Sequence, residues 1–252
     1  MLQRFPIEAI VLFRAPIGEA HLLVTLLTRS AGKHKALAPG ARRSRKRFGG
    51  CLDLFSLIET ILVGSGHGGG QFRLEEASLK DGHEGLKGDL VSLGQAGHLV
   101  ELVDGMITEG EPAEDAFDEL GLYLSRLDRR PLSSVELRRF EIWILTRSGL
   151  IPDFQHCQAC QRDESARWSF DPEQGGLLCC ACPPGPDTVA LTPPARLLLA
   201  SLQADLPVPQ ALDLATMAEA RELLAGIIER YLGRPLKSQE FLRQLAAKGV
   251  PG

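Results

Sequence analysis

The chain has 252 residues, 44% hydrophobic and 24% charged, ordinary globular values that imply two or three modules rather than one small core. Its formal charge is −4, yet residues 20–52 carry eight Lys or Arg and no acid, leaving −12 elsewhere and excluding a uniformly basic protein. No apolar run nears the ~18 residues of a membrane span, and the first ten residues lack a charged-then-apolar leader, so a cytoplasmic protein off the membrane, with reduced cysteines, is expected.

Aliphatic and β-branched segments at 7–13, 21–28, 33–38, 52–62 and 71–79 read as five strands, punctuated by Pro16, Gly18, Gly32 and Pro39-Gly40. Such a run without intervening helix suits a small barrel such as the OB-fold, which presents a strand face and loops to oligonucleotides. An SH3-like barrel has the same periodicity. Residues 64–69 match the G-x-G-x-x-G dinucleotide pattern. They lead into Gln71-Phe-Arg-Leu, a strand-like segment, so a hairpin loop is the better reading. No Gly-Lys-Ser/Thr phosphate loop occurs, and no nucleotide hydrolysis is expected.

Within this module, residues 32–50 hold Lys33, Lys35, Arg42, Arg43, Arg45, Lys46 and Arg47 and no acid. A basic island on an acidic chain is a localised footprint for a polyanion, most commonly nucleic acid. Runs of like charge are often plain solvated loops, and basic patches also suit anionic lipid or acidic protein. Here the run lies between strand-like segments, and strand alternation puts Lys33 and Lys35 on one face.

A helical region follows over residues 82–110, with Leu90, Leu93, Leu99, Leu102, Val103 and Met106 at three-to-four spacing. Pro112 suits the first turn of a second helix reaching Leu127. Ser133-Ser-Val-Glu136 is a capping box that starts a third, which Gly149 ends. Thr192 caps another helix, 212–232 form the longest of this half, and Ser238 is a candidate cap for the last, through Ala247.

Cys157-Gln-Ala-Cys160 and Cys179-Cys-Ala-Cys182 make a C-x2-C-x18-C-x2-C pattern, within the spacing of a zinc site. Two Cys-x-x-Cys turns supply four thiolates, and the hairpin around 171–176 brings the pairs together. Cys180, beside Cys179, is a rival third ligand, although only Cys179 keeps the two-residue gap. His156 reads as a surface neighbour, and Cys51 as a small buried hydrophobe. Four thiolates fill a tetrahedron and leave no position for substrate, so the Zn2+ expected here is single and structural.

With these residues in view the chain resembles the bacterial RecO family almost end to end. The resemblance rests on Leu26-Leu-Thr-Arg-Ser-Ala-Gly-Lys33, Ala38-Pro-Gly-Ala-Arg-Arg-Ser44 and Phe140-Glu-Ile-Trp-Ile-Leu145. It continues through the cysteine pairs, with Gly175-Gly-Leu-Leu before Cys179, and Leu232-Gly-Arg-Pro-Leu-Lys-Ser238. It implies an α+β protein: an OB-fold DNA-binding domain over 1–80, then a helical domain over 81–252 with a zinc hairpin inserted at 154–186. It further implies a nucleoid-associated recombination mediator in DNA repair. Such a protein binds single- and double-stranded DNA, anneals complementary strands and works with RecR and single-strand-binding protein, and thereby indirectly with RecA.

Annealing requires phosphate neutralisation and no bond-breaking group. Five to seven cations touching phosphates would give a slope of log affinity against log salt of roughly −4 to −6. Phe13, Phe48, Phe55 and Phe72 are the N-terminal aromatics, most of them expected in the core, so binding should be independent of sequence. The alternative is a zinc-containing OB-fold enzyme, a nuclease or ligase accessory. It would need clustered carboxylates; the densest acidic group, Glu109, Glu111, Glu114 and Asp115, reads as a solvated helix start. A zinc-ribbon factor would place cations around its cysteines, yet 157–182 holds only Arg162 and Arg167.

Overall fold

The structure is a computed structural model that describes residues 3–64, 72–208 and 212–247. Strands β1 (Gln3–Ile17), β2 (His21–Thr28), β3 (Gly32–Ala38), β4 (Leu57–Gly64) and β5 (Phe72–Asp81) close a barrel in the order β1-β2-β3-β5-β4. This is the five-stranded OB-type barrel expected from the strand pattern. Its closure depends on the length of β1: residues 3–10 pair antiparallel with β4, and residues 9–17 with β2. Between Val11 and Phe13 the register shifts by one residue, and this bulge bends β1 from one partner toward the other. A short parallel pairing, Ala36 with Phe72 and Leu37 with Arg73, completes the ring.

The interior follows from alternation. Ile7, Ala9 and Val11 of β1 meet Val24, Leu26, Ala36, Ala38, Ile58, Leu62 and Leu74 in one buried cluster. Truncating a residue such as Leu26 or Leu62 to Ala would cost roughly 2–5 kcal/mol. The connection from β3 to β4 contains α1 (Arg45–Phe48), a single turn, and sends Phe48, Cys51 and Leu52 into the same core. The expected fourth strand therefore starts late. Residues 52–55 form turns, with Phe55 at φ 70°, and pairing begins at Leu57 because Cys51 and Leu52 are already buried as a plug. Burial pushes the Cys51 thiol above its ordinary pKa, in keeping with a small hydrophobe. The glycine-rich hairpin expected over 64–70 lies, except for Gly64, outside the described residues, as does Gln71.

Helices α2 (Glu84–Gly88), α3 (Leu90–Met106) and α4 (Glu114–Leu127) follow. Asp89 interrupts the helical region: its extended backbone ends α2, and its side chain accepts the Ser92 N–H at 2.7 Å to cap α3. Pro112 stands two residues before α4, whose N-cap is Ala113, so it precedes the first turn instead of occupying it.

Further along, α5 (Ser134–Arg147) opens on the complete capping box. Strands β6 (Trp168–Asp171), β7 (Gly176–Cys179) and β8 (Val189–Leu191) form a small sheet in the order β7-β6-β8. Next come α6 (Pro193–Gln203), capped by Thr192, and α7 (Leu214–Leu232), capped by Asp213 and ended by Gly233 at φ 64°. The last helix is α8 (Lys237–Ala247).

The chain divides into two compact units, residues 1–131 with 238–252, and residues 132–237. β5 ends at Asp81, and compactness groups α2, α3, α4 and most of α8 with the barrel. Packing explains the grouping: α3 and α4 lie on β1, and Gly94 of α3 faces Phe241 and Leu242 of α8 so closely that a Cβ would stand 2.8 Å from the Phe241 ring.

Candidate nucleic-acid interface and metal centre

The seven cations of the basic segment occupy different environments. Lys35 is exposed on β3, with the Glu109 carboxylate 3.9 Å away. Arg42 and Arg43 are exposed in the loop after β3. The Arg42 guanidinium donates to the Gly18 carbonyl at 3.2 Å, and Arg43 pairs with Glu19 at 3.1 Å, with both partners of that pair open to solvent. Such pairs are worth little and exchange readily for phosphate. Lys46 is exposed. Arg47 is half-buried, donates to the Pro39 carbonyl at 2.5 Å and lies over the Phe48 ring. The side chain of Arg45 lies outside the described ones, although its backbone begins α1.

Lys33 is the exception. It is 9% exposed, and its ammonium donates to the Asp104 backbone carbonyl and lies 3.2 Å from the Asp104 carboxylate, in the last turn of α3. A cation on the C-terminal carbonyls of a helix satisfies orphan acceptors and the dipole together. Lys33 and Lys35 share a strand face as expected, but residues 104–111 cover one end of that face. Gly110 N–H donates to the Lys33 carbonyl at 2.9 Å, and at Gly32 (φ 77°) a Cβ would stand 1.8 Å from the Glu111 carbonyl oxygen. Strand alternation carries no information about a segment that arrives seventy residues later.

Two further arginines of the barrel are also paired with carboxylates. Arg29 contacts Glu8 at 3.1 Å and Asp118 at 2.7 Å and stacks on Phe117 at 4.6 Å, while Arg14 pairs with Asp53. Among the aromatics, Phe48, Phe55 and Phe72 are buried as expected, whereas Phe13 is 54% exposed.

The four cysteines converge. Sγ distances are 3.7 Å for Cys157–Cys182, 3.6 Å for Cys160–Cys179 and 3.8 Å for Cys179–Cys182. All four sulfurs lie within 4.8 Å of one another, so the set can hold a metal ion. Local hydrogen bonds build the first turn: Cys157 N–H donates to the Arg162 carbonyl at 2.8 Å, and Gln161, at φ 61°, donates back to Cys157 at 2.7 Å. Pairing of Trp168 with Cys179 across β6 and β7, and of Gln158 N–H with the Leu177 carbonyl at 2.9 Å, brings the second turn alongside. Burial disfavours the Cys157 thiolate, but N–H groups of Cys179, Cys160 and Ala159 aimed at its sulfur outweigh that and bring its pKa to about 6. Hydrogen bonding of the protonated Cys182 thiol with Cys160, then burial and the other thiols, pushes Cys182 up to about 12.

The sulfur cluster includes Cys179 and not Cys180. Cys180 is exposed and its N–H donates to Ser165 Oγ at 3.0 Å, outside the sulfur cluster. His156 binds the Asp153 carboxylate at 2.9 Å and takes no part.

Ser238 does not serve as the cap expected for α8. The helix starts at Lys237, and the Ser238 hydroxyl contacts Glu101 at 2.6 Å and His98 at 2.9 Å. A Ser–His–acid relay places the imidazole in the middle. Here the hydroxyl is in the middle, so the trio ties α8 to α3 instead of activating a nucleophile.

A closed OB-type barrel with a cationic connection, together with a hairpin of four convergent cysteines, defines the class. Two family descriptions match the chain: Recombination protein O N terminal over residues 1–82, and Recombination protein O C terminal over residues 87–240. The chain belongs to the RecO family. It is 36% identical over 254 residues to the DNA repair protein RecO of Anaeromyxobacter sp. (strain Fw109-5), covering 97% of this chain and 98% of that protein. It is 35% identical to the DNA repair protein RecO of Myxococcus xanthus (strain DK1622), covering 97% and 99%. With the Geobacter metallireducens DNA repair protein RecO the identity is 35%, covering 94% and 96%. Among the described residues no helix is long and apolar enough to cross a membrane.

Proposed function

We propose that this chain is a cytoplasmic, nucleoid-associated recombination mediator in DNA repair, which binds single- and double-stranded DNA without sequence preference and anneals complementary strands. The observation that carries this is the exposure of Lys35 on β3 and of Arg42, Arg43 and Lys46 in the connection that follows it, in a family of DNA repair proteins. Arg45 and Arg47 extend the same connection, whereas Lys33 belongs to the support of α3 and not to the DNA surface. Neutralising phosphates on two strands removes the repulsion that keeps them apart, while base edges stay free to pair. We assign no bond-breaking step to any residue. RecR as a partner, recruitment through single-strand-binding protein and indirect assistance to RecA follow from kinship with the family.

The metal in this proposal is one structural Zn2+ held by Cys157, Cys160, Cys179 and Cys182. A tetrahedral zinc with sulfurs at about 2.3 Å spaces them by about 3.8 Å, and three of the separations are 3.6, 3.7 and 3.8 Å, with all four sulfurs within 4.8 Å of one another. The cluster is thus close to the spacing the ion needs. When bound, the zinc would fasten the two turns of the hairpin and contribute to folding, not to chemistry.

The test is affinity for single-stranded and duplex oligonucleotides across a salt series. With Lys33 excluded, four to six contacts predict a slope of about −3 to −5. A slope near zero would mean that these cations do not meet phosphate.

A further inference from the structure

We infer that Phe13 is a base-stacking position for single-stranded nucleic acid on the outer face of β1, β2 and β3, with Lys35 and Arg73 holding adjoining phosphates. The inference rests on the DNA-binding reading above and specifies where an unpaired strand lies.

Isolated exposed apolar side chains are normal on protein surfaces, so exposure alone argues nothing. The backbone supplies the first reason to single out Phe13. Ile7, Ala9 and Val11 point into the barrel, and uninterrupted alternation would send Phe13 after them. The bulge at Leu12 breaks that parity: Val11 pairs with Leu26, both in the barrel cluster, while Phe13 pairs with Thr25, which lies on the opposite strand face and is itself only 4% exposed between its neighbours. A bulge that re-aims one side chain is a recurrent device beside binding sites. The result is an aromatic ring 54% exposed beside a barrel interior that already holds Phe48 and Phe72.

Charge supplies the second reason. Thr25 pairs in turn with Lys35, so Phe13, Thr25 and Lys35 form one row across three strands, which puts Lys35 about 10 Å from Phe13. Arg73 is exposed on β5, paired with Leu37, the next outward position of β3 after Lys35. Residues 9–18 contain no acid, and neither do residues 20–52. The carboxylate closest to Lys35 is Glu109, at 3.9 Å. On β4 and β5, by contrast, the outer surface presents Glu59 and Glu76, both exposed. A polyanion is therefore drawn to the β1–β3 face. An unstacked base needs a π-surface there, and duplex bases, already stacked, do not.

The test compares Phe13→Ala, Phe13→Trp and Leu79→Ala, the last an exposed apolar residue on β5. The probes are oligothymidylate, whose bases stack weakly on one another, and a duplex of mixed sequence. Phe13→Ala should lower oligothymidylate affinity about five- to a hundredfold, the size of one base–aromatic stack. Duplex affinity should stay within about twofold, the salt slope should be unchanged, and Leu79→Ala should behave as wild type. Phe13→Trp should retain affinity and show a fluorescence quench on oligothymidylate that wild type lacks. No loss in Phe13→Ala, or equal loss on both probes, overturns the stacking role while leaving DNA binding standing. Failure of the wild-type chain to bind either probe overturns both.

Discussion

The cysteine hairpin and the basic segment both carry chemistry on closely spaced residues, but they are assembled over different distances. The hairpin is closed by its own backbone: Cys157 bonds to Arg162, Gln158 to Leu177, and Trp168 pairs with Cys179. Every group that positions a sulfur lies within the hairpin or its sheet. The basic segment is sorted by remote packing. Lys33 is claimed by Asp104, Lys35 has Glu109 nearby, and Arg43 turns to Glu19. A cysteine set defined by spacing therefore comes together intact on folding, whereas a charge set is divided into structural and available members by whichever segments cover it.

Breaking the hairpin should have the largest effect. Cys157→Ser should abolish metal retention, measured as zinc per chain, and lower stability by at least about 3 kcal/mol, against the ~10–16 kcal/mol of apparent zinc binding in finger peptides. In calorimetry that is a fall of roughly 10 °C or more for the unit of residues 132–237. Cys180→Ser should change neither. A Cys157→Ser protein that still holds one zinc per chain would contradict the ligand set.

The basic segment should fail differently. Replacing Arg42, Arg43, Arg45, Lys46 and Arg47 by Ala should weaken DNA binding roughly ten- to a thousandfold at physiological salt and flatten the salt slope by about 3–5. The melting temperature should hold. Lys33→Ala should do the reverse, costing about 1–2 kcal/mol by leaving α3 carbonyls without their cation, with DNA affinity unchanged. Lower affinity at unchanged stability in Lys33→Ala would return that residue to the interface.

Smaller effects lie at the helix starts. Glu136→Ala removes half of the capping box, in which its carboxylate accepts the Ser133 N–H at 2.8 Å, and should cost about 1 kcal/mol in chemical denaturation. Asp213, which caps α7, is held below its ordinary pKa chiefly by the Thr216 N–H. A depressed carboxylate adds stability that is present above its unfolded value near 4 and lost as pH falls through its folded value. Asp213→Asn should therefore reduce the acid sensitivity of unfolding below pH 4, and an unchanged pH profile would count against this cap.

Much of this was legible in local patterns because local physics decides it. Ser133-Ser-Val-Glu136, Thr192 and the four cysteines act within a few residues or one hairpin, and each stands where its pattern implies. What escaped was set by tertiary contacts. Leu52 belongs to a plug and not to a strand because the barrel end needed filling. Ser238 reaches α3 instead of capping its own helix. The outward Phe13 follows from a one-residue shift in pairing that no hydrophobic pattern shows.

The most direct measurement is the annealing rate of complementary oligonucleotides with wild type and with the five-alanine variant at Arg42, Arg43, Arg45, Lys46 and Arg47. Wild type should accelerate pairing over the spontaneous rate, and the variant, with its melting temperature unchanged, should lose most of that acceleration. Annealing by the variant as fast as by wild type would contradict the central claim that these cations bring the strands together.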